Sequence, residues 1–419
     1  MDKFIDRSSP LSKLKNVSRR DFMKLSQRFG LTSTMLGLGA LGGAVTLPEL
    51  AEAANSTYEK RFKNKPKLQL KFGGDGHNAS TLRIEKSGAL QFIQDLEERT
   101  DGAIRVEFFG SNSLCTQLTC VGKTQDGIID FFVASTQNSA GGAPYFNVLD
   151  FAYMFPSRAS IYHFFYHPKS EQLLRKPLRE RHKIELLFSH AELRGIMLGQ
   201  SWKDKPTVTS VTDLAGTKNR VTGTQLGRIA MQLMDLNPVP IAWSETLDGL
   251  KQGLIDGAET WSGAAAWANM APTISQDVQL NFFAGTQATS MRSESFEALS
   301  SDFKDAVLES AYSTQLWVQG HHEAALHQIV GSTNPQQPDT IYAQNGVRVA
   351  DLTPEALKEA EEMCSPKHHP KEWELWRDRL SKWSGGQDVY TDISAIAQEV
   401  PNGTKALAID VEPRRWWKS

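Results

Sequence analysis

Two arginines and two tryptophans in one stretch of this chain have the chemistry to hold an organic anion. Arg220 sits near the end of the predicted strand Lys218-Asn219-Arg220-Val221, just ahead of Gly223, where a ligand can come close to the backbone. A guanidinium is planar and always charged, and its forked donors match a carboxylate bidentately. Trp243 follows in Pro238-Val239-Pro240-Ile241-Ala242-Trp243-Ser244-Glu245, where its indole offers an apolar face and one N–H donor. Glu245 falls where a negative charge favours the first turn of the next helix. Glu259, Thr260 and Trp261 come next, and Arg194 precedes Arg220 at the flank of a predicted strand. Asp75, His77, Asn78, Ser135 and Gln137 lie just after strand ends, the side on which α/β sheets bind ligands.

Other chemistry is argued down. His321, His322, Glu323 and His327 share a predicted helix, but the zincin spacing needs histidine where Leu326 stands. They read as a solvated helix face. No Cys/His set has zinc-site spacing, so no metal or other cofactor is expected. No G-x-S-x-G elbow or nucleophile-and-base arrangement is recognisable. Gly37-Leu38-Gly39-Ala40-Leu41-Gly42 fits the dinucleotide pattern literally, yet no strand precedes it. Net charge is −2, without the basic excess of a nucleic-acid surface.

The elements that must position these residues alternate. Residues 67–72 alternate as a strand, residues 87–100 have helical periodicity, and residues 104–109 form the next strand. A helix at 118–126 and a buried strand at 128–134 follow. Strands at 184–189, 195–198, 218–221 and 254–256 then alternate with helices at 225–234 and 245–252. Residues 300–327 carry a long helical pattern, and residues 354–364 and 371–383 give two more helices. This is an α/β chain, and at 419 residues it exceeds one compact core, so two lobes with a ligand cleft between them are expected.

The N-terminus reads as an address. Ser18-Arg19-Arg20-Asp21-Phe22-Met23-Lys24 precedes a weakly apolar, glycine-rich stretch, and Ala51-Glu52-Ala53 offers small residues for cleavage. The paired arginines resemble a twin-arginine signal. Periplasmic export through the twin-arginine machinery is therefore expected. Cys115 and Cys120 either bridge in that oxidising compartment or stand as two small half-buried residues; spacing leaves both open.

Three motifs carry a family resemblance. Asp213-Leu214-Ala215-Gly216-Thr217-Lys218-Asn219-Arg220, then the segment 238–245, then Leu250-Lys251-Gln252-Gly253-Leu254-Ile255-Asp256-Gly257-Ala258-Glu259 closely resemble the solute-binding proteins of TRAP transporters, dicarboxylate-receptor type. Residues 99–110, 127–131 and 148–155 are similar to earlier family segments. The resemblance implies a two-lobed, hinged receptor of the periplasmic-binding-protein kind, with mixed sheets and a long lobe-spanning helix. It implies an organic-acid ligand and membrane permease subunits as partners. It places Arg220 at the carboxylate anchor and Trp243 against the ligand. Thr260 and Trp261 fit neither the sialic-acid nor the keto-acid branch, and Arg194 is a candidate second arginine. The expected organisation is signal 1–53, linker 54–66, lobe I 67–190 with 284–325, lobe II 191–283 with 326–395, and a tail 396–419. A receptor rather than an enzyme is expected; the competing readings are an exported α/β enzyme acting on a small organic acid, or a receptor for an ABC importer or a sensor.

Overall fold

The computed structural model describes residues 58, 60–74, 84–331 and 336–418, without the side chains of 84–87 and 265–267. The signal segment and the candidates Asp75, His77 and Asn78 lie outside the described residues.

Among the described residues nine strands form one mixed sheet: β1 Leu68–Gly74, β2 Ile104–Phe109, β3 Phe131–Ser135, β4 Ile184–Gly199, β5 Lys218–Val221, β6 Asn237–Pro240, β7 Gly257–Thr260, β8 Ile274–Arg292 and β9 Arg348–Ala350. Their order is β2-β1-β3-β8-β4-β7-β5-β6, with β9 on β8. The helices are α1 Ile84–Arg99, α2 Cys120–Gln125, α3 Thr136–Ser139, α4 Arg158–Tyr166, α5 Lys176–His182, α6 Gln225–Leu233 and α7 Trp243–Lys251. After these come α8 Ser262–Trp267, α9 Ser293–Glu297, α10 Ser301–Ile329, α11 Ile341–Gln344, α12 Pro354–Cys364, α13 Pro370–Trp383 and α14 Val389–Gln398.

The two lobes are the two ends of this sheet. Strands β4 and β8, 16 and 19 residues long, pair antiparallel through the middle and belong to both. At one end β1 pairs parallel with β2 and β3; at the other β5 pairs parallel with β6 and β7. The alternation of the sequence foretells those parallel ends. It does not foretell β8, nor that segments 184–189 and 195–198 are one strand. The strand expected at 254–256 begins later, at Gly257, because Gly253 takes a left-handed turn (φ 70°) that prolongs the exit from α7.

Helix α10 ties the lobes together. Ser300 caps it, its side chain accepting the Phe303 N–H. Its 29 residues span about 43 Å. Val307, Leu308, Ala311 and Val318 bury into the core under β1–β3, while Ala325 and Ile329 bury into the core around Met197, Leu250 and Ile274. One rigid rod thus contributes to both cores. Cys115 and Cys120 are bridged, next to Gly73, where an added Cβ would meet the Cys115 sulfur at 2.8 Å. Among the described residues no helix is long and apolar enough to cross a membrane.

Candidate functional site

The candidate residues meet where the two ends of the sheet face each other. Arg194 comes from β4, Arg220 from β5, Thr260 from β7, Trp261 directly after it, and Trp243 opens α7. Together with Gln117, Ser135, Asn138, Thr222, Ala264 and Gln287 they line one cleft. The side chains leave a cavity of about 20 Å³, room for one water. That space is too small for an organic acid as it stands.

The register explains how Arg194 gets there. Gly195 pairs with Thr260 and Ile196 with Glu259, so Arg194 reaches Glu259 diagonally across the ladder. A bulge between Arg194 and Ile196 re-aims the side chain. Glycine is required there: a Cβ on Gly195 would stand 2.2 Å from the Val278 carbonyl oxygen. Gly285 clears the space beside the arginine, since its Cβ would meet Arg194 Cγ at 2.9 Å and the Trp261 ring at 3.1 Å.

Electrostatically, the described residues of the site set buried cations against the one carboxylate of Glu259. Arg194 and Glu259 form a bidentate pair through Nε and Nη2, the latter at 2.9 Å, and both are 1% exposed. Arg194 Nη2 also donates to the Glu259 carbonyl at 3.2 Å. Arg220, equally buried, donates Nε to the Ile241 carbonyl (3.1 Å) and Nη1 to the Glu259 carbonyl (3.3 Å). Burial pulls its guanidinium down to about 10, so it stays charged at neutral pH. Each arginine lies against one indole: Arg194 is 4.8 Å from the Trp261 ring and Arg220 5.2 Å from the Trp243 ring. Among the described residues that line the cleft or pair with its arginines, two guanidinium charges against the Glu259 carboxylate leave one positive charge. Arg194 Nη1, Thr222 Oγ1, Trp261 Nε1 and both amide atoms of Gln287 are buried and, among the described residues, lack a hydrogen-bond partner. Buried polar atoms are normally paired, so these five ask for a polar guest.

Gln137 does not join them. Its Nε2 donates to Asp150 Oδ1 (2.7 Å) and the Ala284 carbonyl (2.6 Å), and its Oε1 accepts from Ser135. The amide is consumed in bracing α3, and its neighbours Ser135 and Asn138 face the cleft instead. Sequence reasoning missed Gln117, Thr222 and Gln287. Thr222 was within reach, two residues after Arg220; Gln287 was not, because β8 went unrecognised. Of the α10 histidines, His321 and His327 are exposed as expected, but His322 is buried 5.1 Å from the His190 ring, and Glu323 pairs with Arg158 at 2.9 Å. A wider groove of about 430 Å³ holds Arg158, Glu192, Asp277 and Glu323, an acidic excess unsuited to an anion.

Asp150, beneath the cleft, gives a pH signature. Burial pushes its carboxyl up to about 7, against the hydrogen bonds from Gln137 and Thr224 and the nearby Arg194. The folded chain thus keeps a proton that the unfolded chain releases near 3.8. The stabilisation from that proton is complete below about pH 4, is lost as pH rises towards 7 and is constant above. Asp150→Asn stays neutral throughout. The stability of wild type relative to this variant, from chemical denaturation, is expected to fall across that window; a flat difference refutes the assignment.

Known proteins bear on this cleft in three ways. Residues 76–373 match the family model described as bacterial extracellular solute-binding protein, family 7. The 2,3-diketo-L-gulonate-binding periplasmic protein YiaO of Escherichia coli is 23% identical over 245 residues, 56% of this chain and 70% of that one. The uncharacterized protein YiiZ of Salmonella typhimurium is 25% identical over 181 residues, and the match spans about half of its length (51%) and 41% of this chain. A TRAP periplasmic solute-binding protein from Ralstonia eutropha, solved with bound (S)-2-acetolactate, superposes with a TM-score of 0.65 at 16% identity, over 79% of this chain and 99% of that one. That likeness shows the two-lobed fold.

Proposed function

We propose that this chain, which belongs to the bacterial extracellular solute-binding proteins of family 7, captures a small hydroxylated or keto monocarboxylate and delivers it to the membrane permease subunits of a TRAP transporter. The observation that carries the reading is a buried cleft whose described residues set two guanidiniums against one carboxylate, beside buried polar atoms that lack a partner among those residues. One ligand carboxylate balances that set; a second would be buried without a counter-charge, which is costly. The unpaired Thr222, Trp261 and Gln287 atoms suit hydroxyl or keto oxygens next to that carboxylate. The relatives that bind 2,3-diketo-L-gulonate and (S)-2-acetolactate support the same chemistry. Arg220 anchors the carboxylate, Trp243 and Trp261 flank the carbon body, and Glu259 holds Arg194 in place. The family consists of binding proteins, and we read this member as one that holds its ligand without turning it over.

Thermal-shift screening tests this. At least one hydroxy- or keto-monocarboxylate should raise the melting temperature in a dose-dependent way, because ligand that binds only the folded form stabilises by mass action. Succinate and neutral sugars should raise it less. A neutral sugar that matches the best acid would overturn the reading.

Arg19-Arg20 ahead of a weakly apolar run supports export by the twin-arginine route. With lysine at both positions the precursor should remain in the cytoplasm; unchanged periplasmic delivery would exclude that route.

A further inference from the structure

Helix α4 ends in two histidines one turn apart. His163 lies in its last turn and His167 is its C-cap, with Pro168 next. Residues four apart on a helix share a face, and here the ring centroids are 5.5 Å apart. Glu399, the C-cap of α14, arrives from the other end of the chain. Its Oε2 lies 2.8 Å from His163 Nε2 and 3.7 Å from His167 Nε2. One nitrogen of each ring and one carboxylate oxygen all fall within 4.8 Å of one another.

A plain ion pair needs one histidine. Here two rings turn the same nitrogen towards one oxygen. Imidazole and carboxylate donors of this kind suit Zn²⁺ and similar borderline divalent ions rather than Ca²⁺ or Mg²⁺, which take oxygen ligands. A second observation points the same way. Both α4 and α14 end at this spot, and a helix C-terminus carries partial negative charge that favours a cation. Lys169 and Arg414 stand nearby and oppose it.

We propose that His163, His167 and Glu399 form a surface site for Zn²⁺ or a like ion, with water in the remaining position. Ligation through His167 Nε2 leaves that ring's proton on Nδ1, so the 3.2 Å contact from the Lys169 N–H to Nδ1 opens on binding. The ion ties the end of α4 to the end of α14. It is separate from the ligand cleft, none of whose lining residues takes part.

The test is calorimetric titration of zinc chloride into the chain, purified without a histidine tag and stripped with a chelator. Saturable one-to-one binding is expected, with calcium and magnesium chloride giving none. His163→Ala and His167→Ala should each weaken it by about tenfold or more, and Glu399→Gln should weaken it too. All three side chains are at least partly exposed, so the variants should fold, which circular dichroism checks; His163→Gln and His167→Gln replace any that does not. No saturable uptake, or uptake that survives in the His163/His167 double variant, overturns the proposal.

Discussion

Replacing Arg220 with alanine is expected to weaken binding of the organic acid by about 30-fold to more than 1000-fold. Truncating one partner of a buried, hydrogen-bonded charge pair costs about 2 to 5 kcal/mol, because the other charge is left desolvated. Each 1.4 kcal/mol is about one decade of affinity. The side chain is 1% exposed, and among the described residues its hydrogen bonds go to the carbonyl oxygens of Ile241 and Glu259 rather than to a carboxylate. Arg220→Lys keeps the charge but loses the planar fork, and should recover only part of the affinity. Calorimetry on the acid found by the thermal screen, with circular dichroism as the folding control, reads the effect. A folded Arg220→Ala protein with wild-type affinity would move the anchor elsewhere in the cleft.

Glu259 carries the largest expected effect on stability. Its carboxylate is the partner of a fully buried Arg194. Removing one member of such a pair leaves a naked charge in a low-dielectric interior and costs about 3 to 5 kcal/mol. Glu259→Ala should therefore lower the denaturation midpoint in urea without changing the slope. Replacing both partners with apolar residues of similar size, as in Arg194→Met with Glu259→Leu, should recover most of that loss, because no charge then remains unpaired. Saturating organic acid should also narrow the deficit of the single variant, since a ligand carboxylate can stand near Arg194. A single variant within about 1 kcal/mol of wild type would show that Arg194 finds compensation without Glu259.

Local signals in the sequence determined several things. The local pattern put Arg220 in the strand observed as β5 and Trp243 two residues ahead of the predicted helix, because strand and helix periods and the turn glycines between them are local physics. The unbroken pattern of residues 300–327 announced α10, and the alternating segments announced the parallel ends of the sheet. Arg194, Thr260 and Trp261 were legible as candidates from their positions beside the motifs that carry the family resemblance.

Other features depended on contacts between distant parts of the chain. The role of Arg194 was one: its partner is 65 residues away, and a bulge at Gly195 aims it there. Gln137 looked free at a strand end, but a carboxylate and a carbonyl from other elements claim its amide. The Cys115–Cys120 bridge, open on spacing, was closed by the loop that brings the two residues to 4.8 Å between Cα atoms. The His163–His167–Glu399 cluster has no signature, because its third donor lies 232 positions beyond the second. Periodicity tells which way a side chain faces within its own element. Which charge, amide or ligand atom it then meets is set by the packing of β4, β8 and α10 across both lobes, and only the tertiary structure contains that.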